Sequence, residues 1–160
     1  MKTPYILLIL FALGLALEHP AKAQHHHYKA PKYDASWSKP GHHPDHIVLN
    51  LTEDPSTSMS VSWRTDSTVL RGVAEIAVAT AAPKFWRNAH SYPAETEVLD
   101  ARGVMYAGSL SHYHTVTFRD LLPDTLYAYR VGEGDHWSEW FQFRTAADSD
   151  KPFSFLYVGD

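Results

Sequence analysis

Short stretches in which apolar and polar residues alternate, separated by turn residues, fill this chain from residue 46 onward. The clearest is 58–64, where Met59, Val61 and Trp63 share one face and serines occupy the other. A period of two residues indicates a β-strand with one buried face. Further stretches of apolar or alternating sequence predict strands at 47–51, 73–80, 95–99, 112–118, 126–132 and 138–145. Residues 81–94, which contain two prolines, predict an irregular excursion instead.

These strands predict an all-β protein, because no segment shows a helical period and turn residues recur at the spacing of a sandwich. Residues 121–127 read L-L-P-D-T-L-Y, and this L-x-P-x-x-x-Y spacing resembles the tyrosine corner of fibronectin-type sandwiches. In that motif the tyrosine ring packs inward while its hydroxyl bonds to the backbone a few residues upstream. We therefore expect Tyr127, Tyr129 and Val131 in the core, and residues 46–146 as one fibronectin type III/immunoglobulin-like β-sandwich.

The first 23 residues have the pattern of a secretory signal peptide. Lys2 precedes an apolar run at 5–17, and Ala21-Lys22-Ala23 supplies an A-x-A cleavage site. As a helix this run would reach only ~20 Å, less than the roughly 30 Å hydrocarbon core of a bilayer, so no membrane anchor is expected. We expect cleavage after Ala23 and a secreted protein, either extracellular or periplasmic.

Composition narrows the functional classes. Aromatic residues make up 13% of the chain, which suits strands and sandwich cores. The formal net charge is −4 and there is no basic block, so no nucleic-acid partner is expected. Cysteine is absent, which excludes disulfides, thiolate zinc sites and cysteine nucleophiles. Any metal site must use histidine, carboxylate, asparagine or tyrosine ligands.

Residues 24–45 predict a His-rich linker. His25–His27 form one group of histidines, and His42, His43 and His46 form a second group. Neutral imidazole is a good ligand for zinc, copper or nickel, so the second group is a candidate metal site. The alternative is a solvated linker that binds metal only adventitiously, because adjacent histidines on a flexible chain lack the supporting hydrogen bonds of a dedicated site.

The pattern changes after residue 146. A polar linker leads into F-S-F-L-Y-V at 153–158, which runs into Gly159-Asp160. A nearly continuous apolar strand followed by Gly-Asp is typical of the start of a doubly covered α/β sheet, with the carboxylate at the carboxyl edge. We therefore expect residues 147–160 to be a linker and the first strand of a second domain, and the sequence to be a fragment.

Several motifs, in their order along the chain, resemble one family. Four of them resemble the N-terminal domain of purple acid phosphatases: M-S-V-S-W-R-T at 59–65, H-x-H-x-V-x-F at 112–118, L-x-P-D-T-x-Y-x-Y-x-V-G at 121–132 and W-F-x-F-R-T at 140–145. The F-S-F-L-Y-V-G-D ending at 153–160 resembles the first strand of their metallophosphoesterase domain. Related secreted phosphodiesterases and alkaline phosphatases with a similar front domain are an alternative that these motifs leave open.

The resemblance implies a parent protein that hydrolyses phosphate monoesters at a dinuclear centre of Fe(III) beside Zn, Mn or Fe(II). Two adjacent metals suit this reaction, since one polarises the phosphoryl oxygen and the other activates water. Asp160 matches the first ligand block of the family. The later blocks G-D-x-x-Y, G-N-H-E and G-H-x-H do not occur in this sequence. We therefore expect this chain to bind no such centre and to be inactive alone, with the catalytic domain as its partner in cis.

Two functions of other classes stay open. One is a stand-alone extracellular fibronectin-type binding module, directed to carbohydrate through Trp86 and Tyr92, although these residues are also candidates for packing against a catalytic domain. The other is a metal-capture protein built on the His-rich tail. His112 and His114 have ligand-like spacing on one predicted strand. Apolar residues continue their face, so we expect them to be packed or hydrogen-bonded.

Overall fold

The structure is a computed structural model that describes residues 39–103, 108–152, 154 and 156–159. The predicted signal peptide, the linker histidines His25–His27 and Asp160 lie outside these residues. Within them, no helix has the length and apolar character needed to cross a membrane. A 3-10 turn occupies Phe85–Asn88. The strands are β1 Asp45–Leu51, β2 Met59–Asp66, β3 Val73–Val78, β4 His90–Pro93, β5 Glu95–Asp100, β6 Leu110–Phe118, β7 Leu126–Glu133, β8 His136–Trp137 and β9 Phe141–Arg144.

The strands form two antiparallel sheets. The first has the order β1-β2-β6-β5, and the second has the order β4-β3-β7-β8, with β9 also paired to β7. In the first sheet β2 pairs with β6 from Met59, opposite Phe118, to Asp66, opposite Ser111. This arrangement confirms the predicted all-β sandwich of the fibronectin type III kind.

The core lies between the sheets and contains the faces that the alternation predicts. Trp63 of β2 is fully buried, and Tyr127, Tyr129 and Val131 of β7 are buried as well. Side chains of the two sheets contact each other, with the ring centroids of Phe118 and Tyr129 6.3 Å apart. Each large side chain removed from water contributes roughly 1.5–3 kcal/mol, so these residues supply much of the stability of the sandwich.

Tyr127 forms the predicted tyrosine corner. The Leu122 N–H donates a 2.9 Å hydrogen bond to the Tyr127 hydroxyl oxygen. The Tyr127 ring stacks on Phe143 of β9, with centroids 5.8 Å apart and planes inclined by 24°. The hydroxyl is hydrogen-bonded to the backbone and the ring packs on β9. These two contacts fix the conformation of the turn between β6 in the first sheet and β7 in the second.

The segment predicted to be irregular contains a strand. β4, His90–Pro93, pairs with β3, and Tyr92 lies opposite Ala74. The pattern misses this strand because it is short, lies at a sheet edge and ends in proline, which has no N–H to donate. The Tyr92 ring packs edge-on against Phe118 at 5.5 Å. The prediction for 81–94 is therefore wrong at 90–93, where a long-range aromatic contact supports the pairing.

The strand predicted at 138–145 is shorter in the structure. β9 begins only at Phe141 because Ser138 takes over the hydrogen bonds to Val131 of β7. The Ser138 N–H donates to the Val131 carbonyl at 2.9 Å, and the Val131 N–H donates to the Ser138 hydroxyl oxygen at 3.0 Å. A side-chain oxygen thus replaces a backbone partner, and the chain leaves the sheet until Phe141.

The apolar strand predicted at 153–158 is not found in its described residues, 154 and 156–158. Leu156, Tyr157 and Val158 are 87%, 88% and 78% exposed. A strand needs a neighbour for its backbone N–H and C=O groups. No neighbouring strand pairs with these residues within the described part of the chain.

Candidate functional site

Three histidines meet where the segment before β1 passes the β7–β8 hairpin. His43 Nε2 lies 3.3 Å from His136 Nδ1, and the two rings are edge to face with centroids 4.6 Å apart. The His42 ring centroid is 5.5 Å from that of His136. We call His42, His43 and His136 the histidine cluster. Its side chains reach the surface, where a small ion could approach them.

Hydrogen bonds at the end of β2 position the cluster. The Asp66 N–H donates to the Gly41 carbonyl at 2.9 Å, which attaches the segment before β1 to the first sheet. His42 Nδ1 lies 3.0 Å from the Asp66 carboxylate, and its Nε2 lies 3.0 Å from the Thr68 hydroxyl. Because a carboxylate only accepts, Nδ1 of His42 carries a proton. The Thr68 hydroxyl donates its own proton to the same carboxylate, so in this arrangement it accepts from Nε2 of His42.

The predicted group His42, His43 and His46 is separated in the structure. His46 lies against Asp45, with Nδ1 3.2 Å from the carboxylate. The third histidine beside His42 and His43 is therefore His136 and not His46. The sequence does not single out His136, because it is an isolated histidine 93 residues from His43 in the chain. Among the described residues, no group of three or more His, Asp or Glu is arranged to hold a metal ion. Asp160, the other predicted ligand, lies outside those residues.

His114 of β6 is fully buried within a hydrogen-bonded group. Its Nε2 lies 2.8 Å from the Thr65 hydroxyl, and its Nδ1 lies 2.9 Å from the Thr96 hydroxyl. The Thr65 hydroxyl donates to the Asp66 carbonyl at 3.2 Å, so His114 donates to Thr65 and accepts from Thr96. The ring stacks on Trp63 with centroids 5.3 Å apart. Both nitrogens are engaged, so His114 binds neighbouring strands together instead of presenting a ligand.

The environment of His114 opposes its protonation. Burial, with a smaller contribution from the charge of neighbouring His112, lowers the pKa of His114 to about 4. His112 is also buried and donates from Nδ1 to the Val69 carbonyl at 2.8 Å. The two histidines of β6 thus have packed, hydrogen-bonded positions, as their apolar neighbours on the strand predict.

Gly72 provides the space that the Trp63–His114 stack requires. A Cβ atom at Gly72 would lie 2.6 Å from Trp63 Cζ2 and 2.8 Å from His114 Cγ. Both contacts are far shorter than side-chain atoms tolerate, and both neighbours are rings held within the core. The chain entering β3 can therefore lie against the stack only because residue 72 has no side chain.

Arg130 lies on the outer face of the second sheet and contacts two tryptophans and a carboxylate. The Arg130 guanidinium lies 4.3 Å from the Trp137 ring centroid and 5.0 Å from that of Trp140. It also pairs with the Glu75 carboxylate at 2.7 Å. Cation–π contacts of this kind contribute about 0.5–1 kcal/mol each where they are partly exposed. Arg130 thus holds Trp137, at the end of β8, and Trp140, just before β9, against the sheet, a role that no local pattern indicates.

The aromatic residues considered for carbohydrate stacking do not form one surface. Tyr92 packs on Phe118 in the core. Phe85 packs edge-on against Trp140 at 5.2 Å. Trp86 remains 48% exposed. The platform expected from Trp86 and Tyr92 is therefore reduced to a single exposed ring.

Comparison with known families gives a match over the sandwich. Residues 44–145 match the family described as "Purple acid Phosphatase, N-terminal domain". That range includes every strand from β1 to β9. Among curated proteins, no match is found.

Solved structures similar to this chain include two human fibronectin type III domains. The fn3 domain of human contactin 1 shares 17% identity, with a TM-score of 0.46 and coverage of 72% of this chain and 86% of that domain. The third fibronectin III domain of the human KIAA0343 protein shares 14% identity, with a TM-score of 0.39 and coverage of 79% of this chain and 98% of that chain.

Proposed function

This chain belongs to the purple acid phosphatase N-terminal domain family, and on that premise we propose that it is the non-catalytic front module of a secreted metallophosphoesterase. The observation that carries the proposal is the family match over 44–145, which spans the whole sandwich. The proposed parent protein hydrolyses phosphate monoesters at a dinuclear centre of Fe(III) beside Zn, Mn or Fe(II). One of these metals would polarise the phosphoryl oxygen, and the other would lower the pKa of the attacking water.

The path of the chain beyond β9 supports a module that orients the next domain of the parent. The Ala146 N–H donates to the Pro55 carbonyl at 2.9 Å, and the Asp124 N–H donates to the Ala146 carbonyl at 3.0 Å. Lys151 Nζ lies 2.6 Å from the Asp124 carboxylate, and this hydrogen bond lowers the pKa of Asp124. The linker is thus attached to the tyrosine-corner end of the sandwich as far as Lys151.

The exposed apolar residues after this linker fit the same role. Leu156, Tyr157 and Val158 present large apolar side chains to solvent. Contiguous exposed apolar surface usually marks an interaction site. We propose that these residues pack within the catalytic domain of the parent, in cis, where a strand would find the backbone partners it lacks in the described residues.

The proposed dinuclear centre is not one that the described residues can form, because they contain no group of three or more His, Asp or Glu arranged to hold a metal ion. Asp160, which matches the first ligand block of the family, lies outside them. The proposal therefore assigns the centre to the longer parent, with Asp160 as one carboxylate ligand. Its negative charge would help to hold a ferric ion.

The experiment begins by reading the coding sequence beyond codon 160, where we expect G-D-x-x-Y, G-N-H-E and G-H-x-H. In the expressed parent we expect Asp160→Asn to lose iron and p-nitrophenyl phosphate hydrolysis together, since the amide keeps the shape but not the charge. Asp150→Asn, a change at an exposed linker residue, is the matched control and should keep both. Absence of the three blocks would overturn the proposed function, and full iron content and activity in Asp160→Asn would overturn the ligand assignment.

Secretion is part of the same proposal and has a direct test. Amino-terminal sequencing of protein recovered from the medium or periplasm should begin at Gln24, because Ala21-Lys22-Ala23 has the small residues that a signal peptidase requires. Recovered protein that retains residues 1–23 would contradict the proposed signal peptide.

A further inference from the structure

We propose that His43 and His136 bind a divalent transition metal of the zinc, copper or nickel class, with His42 as a third ligand. The site joins the segment before β1 to the β7–β8 hairpin. It does not rest on the function proposed for the parent protein. The residues that carry it all lie in the described part of the chain.

The separation of two ring nitrogens is the first observation. Zinc–nitrogen bonds of about 2.0–2.1 Å at tetrahedral angles place two ligand nitrogens roughly 3.3 Å apart. His43 Nε2 and His136 Nδ1 are 3.3 Å apart. Without metal, one of these nitrogens donates its proton to the other. If both present lone pairs toward a common point beside the line that joins them, the same spacing is that of two ligands of one zinc ion.

The support around His42 is the second observation. The Asp66 carboxylate binds the Nδ1–H of His42 at 3.0 Å, so Nε2 is the nitrogen left for a metal, which would take the place of the proton that Nε2 shares with Thr68. Carboxylate–imidazole pairs of this kind orient ligand histidines and increase their basicity. The Thr68 hydroxyl now occupies Nε2 at 3.0 Å, and a bound metal would displace it. The cluster therefore has the supporting hydrogen bond that histidines on a free linker lack.

The third ligand requires a movement of the side chain. The His42 and His136 rings are 5.5 Å apart between centroids, and the three rings do not converge as they stand. Rotation of the exposed His42 side chain toward His136 would complete the set, with water as a fourth ligand. Imidazole ligands favour zinc, copper and nickel over magnesium and calcium, which prefer oxygen.

Metal binding here should stabilise the fold. His43 precedes β1, and His136 lies in β8, so only the folded chain brings their nitrogens together. A ligand that binds the native state alone stabilises it by RT ln(1 + c/Kd) at a free concentration c, and so raises the melting temperature as that concentration increases. Adventitious binding to a linker would leave the melting temperature unchanged, because the linker is equally available when the sandwich unfolds.

The experiment uses the EDTA-treated 160-residue chain with His25, His26 and His27 changed to Ala, so that the linker tract contributes nothing. Zinc at ten times its Kd should raise the Tm by at least about 3 °C, and magnesium should not. We expect His43→Ala and His136→Ala to weaken zinc binding at least tenfold in calorimetric titrations and to remove the Tm shift.

His46→Ala is the matched control, since His46 is an exposed histidine of the same segment that lies against Asp45. It should keep the affinity and the Tm shift. Zinc binding without a Tm shift would overturn the proposal and identify adventitious binding. A shift that survives His136→Ala, or that disappears in His46→Ala, would overturn the assignment of the ligands.

Discussion

At the scale of single residues, the interior contains a histidine whose protonation is coupled to folding. His114 is fully buried against Trp63, and its pKa is lowered to about 4. In the unfolded chain a histidine has a pKa of about 6.5. Between these values the unfolded chain binds more protons than the folded one, so stability decreases as the pH falls.

We therefore expect the free energy of unfolding to decrease by about 3 kcal/mol as the pH falls from about 7 to 4 through this group, and to be independent of it about one unit or more above pH 6.5. His114→Gln, which cannot take up a proton, should flatten the dependence. The exposed residue His90 provides the control, and His90→Gln should keep the wild-type slope. Urea titrations at several pH values measure the effect, and an unchanged slope in His114→Gln would assign it to other groups.

The hydroxyl of Tyr127 is a second residue-scale contribution that can be isolated. Tyr127→Phe removes the acceptor of the Leu122 N–H bond and keeps the ring, so we expect a loss of about 1 kcal/mol. Tyr129→Phe removes a hydroxyl from the same strand and leaves the Leu122 bond intact, and it should cost less. If urea titrations show equal stability for Tyr127→Phe and wild type, the corner bond contributes nothing.

The role of a residue can be predicted from sequence when it depends on the pattern of its own strand, and not when it depends on contacts with distant elements. Trp63 and Tyr127 follow the alternation of their own strands, so their burial was predictable. Gly72 and His136 matter because of contacts with residues distant in the chain, namely Trp63 and His114 for Gly72 and His43 for His136. The sequence adjacent to them does not indicate these contacts. The candidate histidine site was therefore only half predicted: His42 and His43 were named, and their actual neighbour was not.

At the scale of elements, the length of a strand decides whether the sequence pattern can predict it. β2, β6 and β7 have eight, nine and eight residues, long enough for an alternating or apolar pattern to be recognised. β4 and β8 have four and two residues, too few to establish a period. These short strands depend on contacts from other strands, such as the packing of Tyr92 on Phe118, which appear only once the sheets are assembled.

The loop entering β3 offers a test of packing between elements. We expect Gly72→Ala to destabilise the protein by about 1–3 kcal/mol, because the added methyl overlaps Trp63 and His114. Gly41→Ala is the matched control, since a Cβ atom there meets nothing within 4 Å. Thermal unfolding of the two variants compares them directly. Equal melting temperatures would show that the Trp63–His114 stack shifts to accommodate the methyl group.

At the scale of the whole molecule, the family follows from the order of its motifs more than from any one of them. A proline turn and a tyrosine occur in many sandwiches, whereas the succession from the Trp63 strand to the tyrosine corner and β9 is matched over 44–145. The fold of that range was predictable because its main strands have alternating or apolar sequence between recurring turn residues. The lack of a strand at 154 and 156–158 was not predictable, since a strand buried on both faces forms only with neighbours that the described residues do not supply.

The most direct measurement of the proposed role is hydrolysis of p-nitrophenyl phosphate at acidic pH by the 160-residue chain and by the parent protein, assayed side by side with iron and zinc supplied. We expect the parent to turn over substrate and the 160-residue chain to show no rate above the uncatalysed reaction, because Asp160 alone cannot hold two metals. Turnover by the isolated chain would contradict its role as a non-catalytic front module. An inactive parent with its metals bound would contradict the proposed phosphatase.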